Sequence, residues 1–194
     1  MSEAGYFRRL GMAVGAALCA ACAPDTPVTQ YRLQVCGTQH EAQVTDRWWG
    51  SLYVAQLGGD NELVIGVPLA VQGEGGRPAT LTAQFHLTTE QDQLRRDPSK
   101  LSGRYAIGPA REGRARLGEA VAVVFQEVPE DALRASHGEL VIDRVEIVRS
   151  EDDTDYGVMS GHYRFEARSD ANQSTCAVAG SFRDGTFKLV KDSS

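Results

Sequence analysis

Apolar and polar residues alternate with period two over most of the chain beyond residue 30. In ATLTAQFHLTT, Leu81, Ala83, Phe85 and Leu87 fall on one face, and Thr80, Thr82, Gln84, His86 and Thr88 on the other. Successive strand residues point to opposite faces, so this pattern predicts a half-buried antiparallel strand. YRLQV alternates in the same way, with Tyr31, Leu33 and Val35 against Arg32 and Gln34. So does SGHYRFEAR, with Tyr163, Phe165 and Ala167 against His162, Arg164 and Glu166. SLYVAQL and ELVIGV flank the turn residues GGDN and predict a hairpin. AVAVVFQEV predicts a more buried strand, and LSGRYAIG, TCAVAGSF and DGTFKLV complete the set. In GELVIDRVEIV the alternation slips around Asp143 and Arg144, where a β-bulge would reset the phase.

Short strands at regular spacing with turn signals between them predict an all-β domain. An antiparallel β-sandwich is the leading architecture, with a small β-barrel as the alternative. One or two short helices are expected in the connections, at TEQDQLRRD and PEDALRA. In the latter, Pro129 would open the helix, with Glu130 and Asp131 in its first turn. The stretch from Glu90 to Gly118 is polar and weakly patterned. No internal repeat or low-complexity tract is evident.

The first residues follow a different pattern. Arg8 and Arg9 precede an apolar run from Leu10 to Ala23. That run is about 14 residues, short of the roughly 20 a membrane-spanning helix needs. A basic start, a short apolar core and small residues at its end describe an export signal. Its end, AAC with Cys22 last, resembles the lipobox of bacterial lipoproteins, with Cys19 standing where that family favours Leu. The resemblance implies cleavage before Cys22, acylation of that cysteine by diacylglyceryl and palmitate-type chains, and a membrane anchor. Ala23 after it implies delivery to the outer membrane. An ordinary secretory signal giving a secreted or periplasmic soluble protein is the alternative, and YFRRLGM also resembles a twin-arginine signal. A redox or zinc Cys19-x-x-Cys22 lacks the preceding strand or the further ligands those sites require.

The resulting boundaries are a signal over 1–21, a lipidated tether over 22–30 and a single all-β domain over 31–194. With Cys19 removed and Cys22 acylated, Cys36 and Cys176 remain, an even pair suggesting a disulfide. A loop on the order of 140 residues corresponds to roughly 4–5 kcal/mol in the chain-entropy model. Two separate buried thiols are the alternative. A second resemblance runs from Gly138 to Phe182: G-x-L-x-I-x-x-V, S-G-x-Y-x-F-x-A and C-x-V-x-G-S-F are similar to the C-terminal half of certain uncharacterised all-β bacterial lipoproteins. It implies a fold class and an envelope location, and carries no active site.

The net charge of −6 argues against nucleic acid as a partner, because phosphate binding needs a basic surface. His40-Glu41 lacks the second histidine of a zinc-protease helix, and no Gly-x-Ser-x-Gly or phosphate-binding glycine loop is present. No catalytic residue, metal or cofactor is assigned. Glu151, Asp152, Asp153 and Asp155 fit a solvated hairpin turn better than a calcium loop. His86, His137 and His162 read as strand-face histidines. Two candidate binding surfaces remain. Trp48 and Trp49 point to opposite sides of a strand, leaving one for a ligand. Arg95, Arg96, Arg104, Arg111, Arg114 and Arg116, with Lys100, could face anionic lipid headgroups or an acidic envelope protein. The sequence thus predicts a cell-envelope lipoprotein, a non-enzymatic binding or structural module. The alternatives are an envelope-polymer hydrolase or a carrier of small apolar ligands.

Overall fold

The computed structural model describes residues 28–45, 51–57, 62–72, 76–88, 97–109, 118–126 and 128–190. These form ten strands: β1 (Val28–Val35), β2 (Thr38–Thr45), β3 (Tyr53–Leu57), β4 (Glu62–Gln72), β5 (Pro78–Thr88), β6 (Gly103–Ile107), β7 (Glu119–Gln126), β8 (Val128–Ser150), β9 (Thr154–Ser169) and β10 (Thr175–Val190). All ten lie in one sheet, ordered β2-β1-β10-β9-β8-β6-β7-β5-β4-β3. Every pairing is antiparallel except β6–β7, which is parallel. The expected all-β class stands. Its sandwich-like form comes from a single sheet folded over on itself, and the sheet does not close into a barrel.

The folding-over follows from contacts between strands that are not neighbours. Phe85 on β5 and Tyr163 on β9 have ring centroids 4.8 Å apart, and Phe85 meets Phe165 edge-on at 6.3 Å. The two ends of the sheet also approach each other. Leu52, just before β3, donates its N–H to the Thr186 carbonyl of β10 at 2.9 Å. Beside it Thr29, Ser51 and Thr186 are buried together. The Ser51 hydroxyl lies 2.7 Å from the Thr29 hydroxyl and accepts the Thr186 N–H at 2.8 Å, and the Tyr31 hydroxyl donates to the Ser51 carbonyl. Buried polar groups need such partners, so these bonds tie β1, β10 and the entry to β3 in one arrangement. A single apolar cluster fills the interior, with Phe85, Phe182, Phe187, Leu63, Leu69, Leu140 and Met159 among its fully buried side chains.

Strong curvature needs local devices, and this sheet has two. The first is bulging. The 23-residue β8 shifts register against β9 between Ala135 and His137, Ile142 and Arg144, and Ile147 and Arg149. Each bulge adds twist and bends the strand. The middle one lies where the alternation slips in the sequence. The last leaves Val148 without a cross-strand partner and 54% exposed. The second device is the pairing of glycine with an aromatic ring. Gly138 faces Phe165, Gly157 faces Phe187, Gly161 faces Phe182 and Gly180 faces Tyr163 across adjacent strands. At three of these pairs the ring covers the glycine: a Cβ at Gly157 would sit 2.5 Å from Phe187 Cζ, one at Gly161 would sit 2.7 Å from Phe182 Cζ, and one at Gly180 would sit 2.5 Å from Tyr163 Cζ. Glycine here makes room for a large buried ring inside a bent sheet.

Several expectations change. PEDALRA is strand, not helix: Leu133 and Arg134 pair with Val124 and Val123 of β7 and with Ser169 and Arg168 of β9. Seven residues cannot sustain a helix by themselves, and two flanking strands offer their backbone groups a better set of partners. A 3-10 turn forms at Pro98–Leu101, capped by the Asp97 side chain, which accepts the Ser99 N–H at 3.1 Å. TEQDQLRRD lies outside the described residues except for Asp97. The first described strand, β1, starts at Val28 within the segment read as tether: Val28–Gln30 pair with β2, and Gln30 also pairs with β10. TCAVAGSF and DGTFKLV are one strand, bulged between Phe182 and Gly185.

Candidate functional site: an open groove beside the disulfide

Cys36 and Cys176 form the expected disulfide. Cys36 and Gly37 make the two-residue turn between β1 and β2, with φ of 49° and 87°. Positive φ at both central residues is the twist-matched hairpin turn, and glycine suits the second position. The bond fastens this turn to the start of β10, where Cys36 N–H also donates to the Ala177 carbonyl at 3.1 Å.

Next to this staple the outer face of β6, β8, β9 and β10 is concave and forms an open groove of about 1180 Å³. Ligand pockets commonly hold roughly 300–1,000 Å³, so the space admits an extended ligand. Register sets its lining. Ala106 of β6, Glu139 of β8, Arg164 of β9 and Ala179 of β10 form one cross-strand row, and His137, Glu166 and Ala177 form the next. The bulge at Ser136 sets the phase that points His137 and Glu139 outward, while Ala135 and Leu140 go to the core. The Ser136 hydroxyl lies 3.1 Å from His137 Nδ1 and donates to the Glu166 carbonyl, which fixes the imidazole beside β9.

The charges in this groove are unevenly matched. Arg104 donates to Glu139 at 2.8 Å. Arg164, directly opposite Glu139 in register, makes no ion pair with it. Its guanidinium has no ion pair or side-chain hydrogen bond among the described residues, and the Glu166 carboxylate has none either. On the inner side of the same sheet, Tyr163 is buried and its hydroxyl has no hydrogen-bond partner among the described residues. Burial pushes its ionisation well above the ordinary tyrosine value.

Of the sequence-predicted surface residues, Arg104 belongs to the groove. Trp48, Trp49, Arg95, Arg96, Arg111, Arg114 and Arg116 lie outside the described residues, as does Cys22. Lys100 approaches Asp97 at 4.0 Å in the 3-10 turn. Glu151 to Asp153 form the turn between β8 and β9, where Glu151 meets Arg149 at 3.3 Å and Asp155 accepts the Ser150 hydroxyl at 2.5 Å. No group of three metal-ligating side chains occurs among the described residues. His162 pairs with Asp143 at 3.0 Å on the exposed face. Sequence reasoning missed Glu139, Arg164 and Glu166 as a group. Their outward phase was visible, but the neighbour order of β6, β8, β9 and β10 was not. No helix among the described residues is long and apolar enough to cross a membrane. No protein-family model, curated protein or solved structure matches this chain.

Proposed function

We propose that the protein is an exported cell-envelope lipoprotein, anchored through acylated Cys22, whose all-β domain is a non-enzymatic binding module. The observation that supports a binding role is the groove: an open, charged concavity built on four paired strands and stapled at one end by the disulfide. Sites on strands hold their side chains more firmly than sites on loops. The interior is occupied by aromatic rings, which speaks against the apolar-ligand carrier. One observation favours the hydrolase alternative, namely that His137 and two carboxylates, Glu139 and Glu166, line the same groove.

The anchor is tested by intact mass. The full-length protein is expressed in a Gram-negative host and extracted from membranes. A polypeptide starting at Cys22 and carrying acyl chains supports the reading. A soluble, unacylated product overturns the anchor. Turnover of an envelope polymer that is lost in both Glu139→Gln and Glu166→Gln would replace the binding role with the hydrolytic one.

A further inference from the structure

The groove's unmatched charges point to a ligand class. We infer that it binds a short extended peptide segment carrying both a positive and a negative charge, its carboxylate at Arg164 and its ammonium at Glu166. This rests on the groove being a binding surface, as proposed above.

Opposite charges facing each other across strands normally satisfy one another. Here Arg104 takes Glu139 at 2.8 Å, so the Arg164 guanidinium on the neighbouring strand is left for another acceptor. Glu166 stands two residues along the same face of β9, and its facing position on β8 is His137, already oriented by Ser136. Among the described residues Arg164 and Glu166 are therefore a free cation and a free anion, roughly 7 Å apart along a strand that rises about 3.4 Å per residue. Two residues of an extended peptide cover the same distance, so an amine and a carboxylate about that far apart meet both groups at once.

The floor fits this ligand as well. Across from Arg164 and Glu166, β10 presents Ala179 and Ala177, and across from Glu139, β6 presents Ala106. These methyl groups leave a low shelf between the charged ridge of β9 and the disulfide turn, on which a narrow main chain can lie. No aromatic side chain is among the outward-pointing described residues of the lining, which disfavours a sugar ring needing a stacking platform. A guanidinium takes a carboxylate through two parallel N–H donors, giving the site a polarity and the peptide a direction.

The test uses the exported protein, purified in detergent from membranes or, if unacylated, from the soluble fraction, and titrated calorimetrically. The probes are Ala-Ala and Ala-Ala-Ala with free ends, the same peptides acetylated or amidated, and Ac-Lys-Ala-Asp-NH2. The expected result is binding of a doubly charged probe that weakens at least tenfold when either charge is blocked. Arg164→Gln should then bind free and amidated peptides alike, and Glu166→Gln should bind free and acetylated peptides alike. Both side chains are exposed, so unchanged melting of each variant excludes misfolding. Binding confined to free-ended peptides identifies a free short peptide as the source; binding of the Lys-Asp probe identifies a segment of a longer chain. Equal binding of blocked and free probes, no heat at millimolar peptide, or indifference to both substitutions overturns the inference. Because the titration does not depend on acylation, a missing anchor leaves it readable, and a failed titration with Cys22 acylated removes the ligand class alone.

Discussion

The strongest claim of the fold is that the β3 end of the sheet packs back onto β10, and a double-mutant cycle at Leu52 and Gly185 tests it. These residues are far apart in sequence, yet Leu52 is 1% exposed and a Cβ at Gly185 would lie 2.5 Å from Leu52 Cδ1 and 2.6 Å from Leu52 Cγ. Gly185 does not hold a positive φ, so alanine fits its backbone. Gly185→Ala should then cost about 1–3 kcal/mol in overpacking, offset by about 0.4–1 kcal/mol from the stiffer unfolded chain. Leu52→Ala should cost about 2–5 kcal/mol, a large side chain removed from the core. In the double variant the new methyl group enters the space that the leucine vacated. Its clash disappears and part of the cavity is filled, so the summed cost should fall short of additivity by about 1–2 kcal/mol, within the range seen for touching residues. Urea denaturation of the four proteins gives the coupling directly, with unchanged m-values showing that the unfolded states are comparable. Additivity to within about 0.5 kcal/mol would mean that residue 52 does not rest on residue 185, and the description of the sheet as folded over would be refuted.

Further outcomes can be stated more briefly. Gly157→Ala places a Cβ 2.5 Å from Phe187 Cζ and 2.7 Å from the Glu146 carbonyl oxygen. It should cost about 1–3 kcal/mol, and Phe187→Leu should rescue only part, because the carbonyl stays; a melting temperature equal to that of the parent would contradict the ring-over-glycine packing. Replacing Cys36 and Cys176 together by serine opens a 140-residue loop. Denaturation with and without reductant should place the loss at roughly 4–5 kcal/mol or below, and indifference of the parent protein to reductant would exclude the staple. Tyr163→Phe removes a buried hydroxyl that lacks a partner among the described residues, so stability at neutral pH should hold or rise by up to about 1 kcal/mol. Burial raises the folded-state pKa of Tyr163 above its ordinary value of 10.0. Its contribution is therefore complete below pH 10 and is lost as the unfolded chain ionises above it, so Tyr163→Phe should flatten the alkaline loss of stability. An identical alkaline limb in both proteins would place the hydroxyl in water.

Much of this protein is written in its alternation. The inward set Leu81, Ala83, Phe85 and Leu87 and the inward set Tyr163, Phe165 and Ala167 could be read because strand side chains have period two and one face of each strand must leave water. The bulge at Asp143 was legible for the same reason: an extra residue breaks the period where it is inserted. Cys36 and Cys176 were paired by count. PEDALRA misled because Pro129 and two acidic residues carry a local helix signal, while its pairing is decided on both sides, by β7 just before it and by β9 from a later segment. What the tertiary structure alone decided is which strands stand side by side. No local pattern places β6 between β7 and β8, lays Phe85 against Tyr163, or seats Leu52 on Gly185. The groove belongs to this second kind. Arg104, Glu139, Arg164 and Glu166 are ordinary outward residues along the chain. They become a site because register sets them in adjacent rows, and because the pairing of Arg104 with Glu139 leaves the other two charges without partners among the described residues.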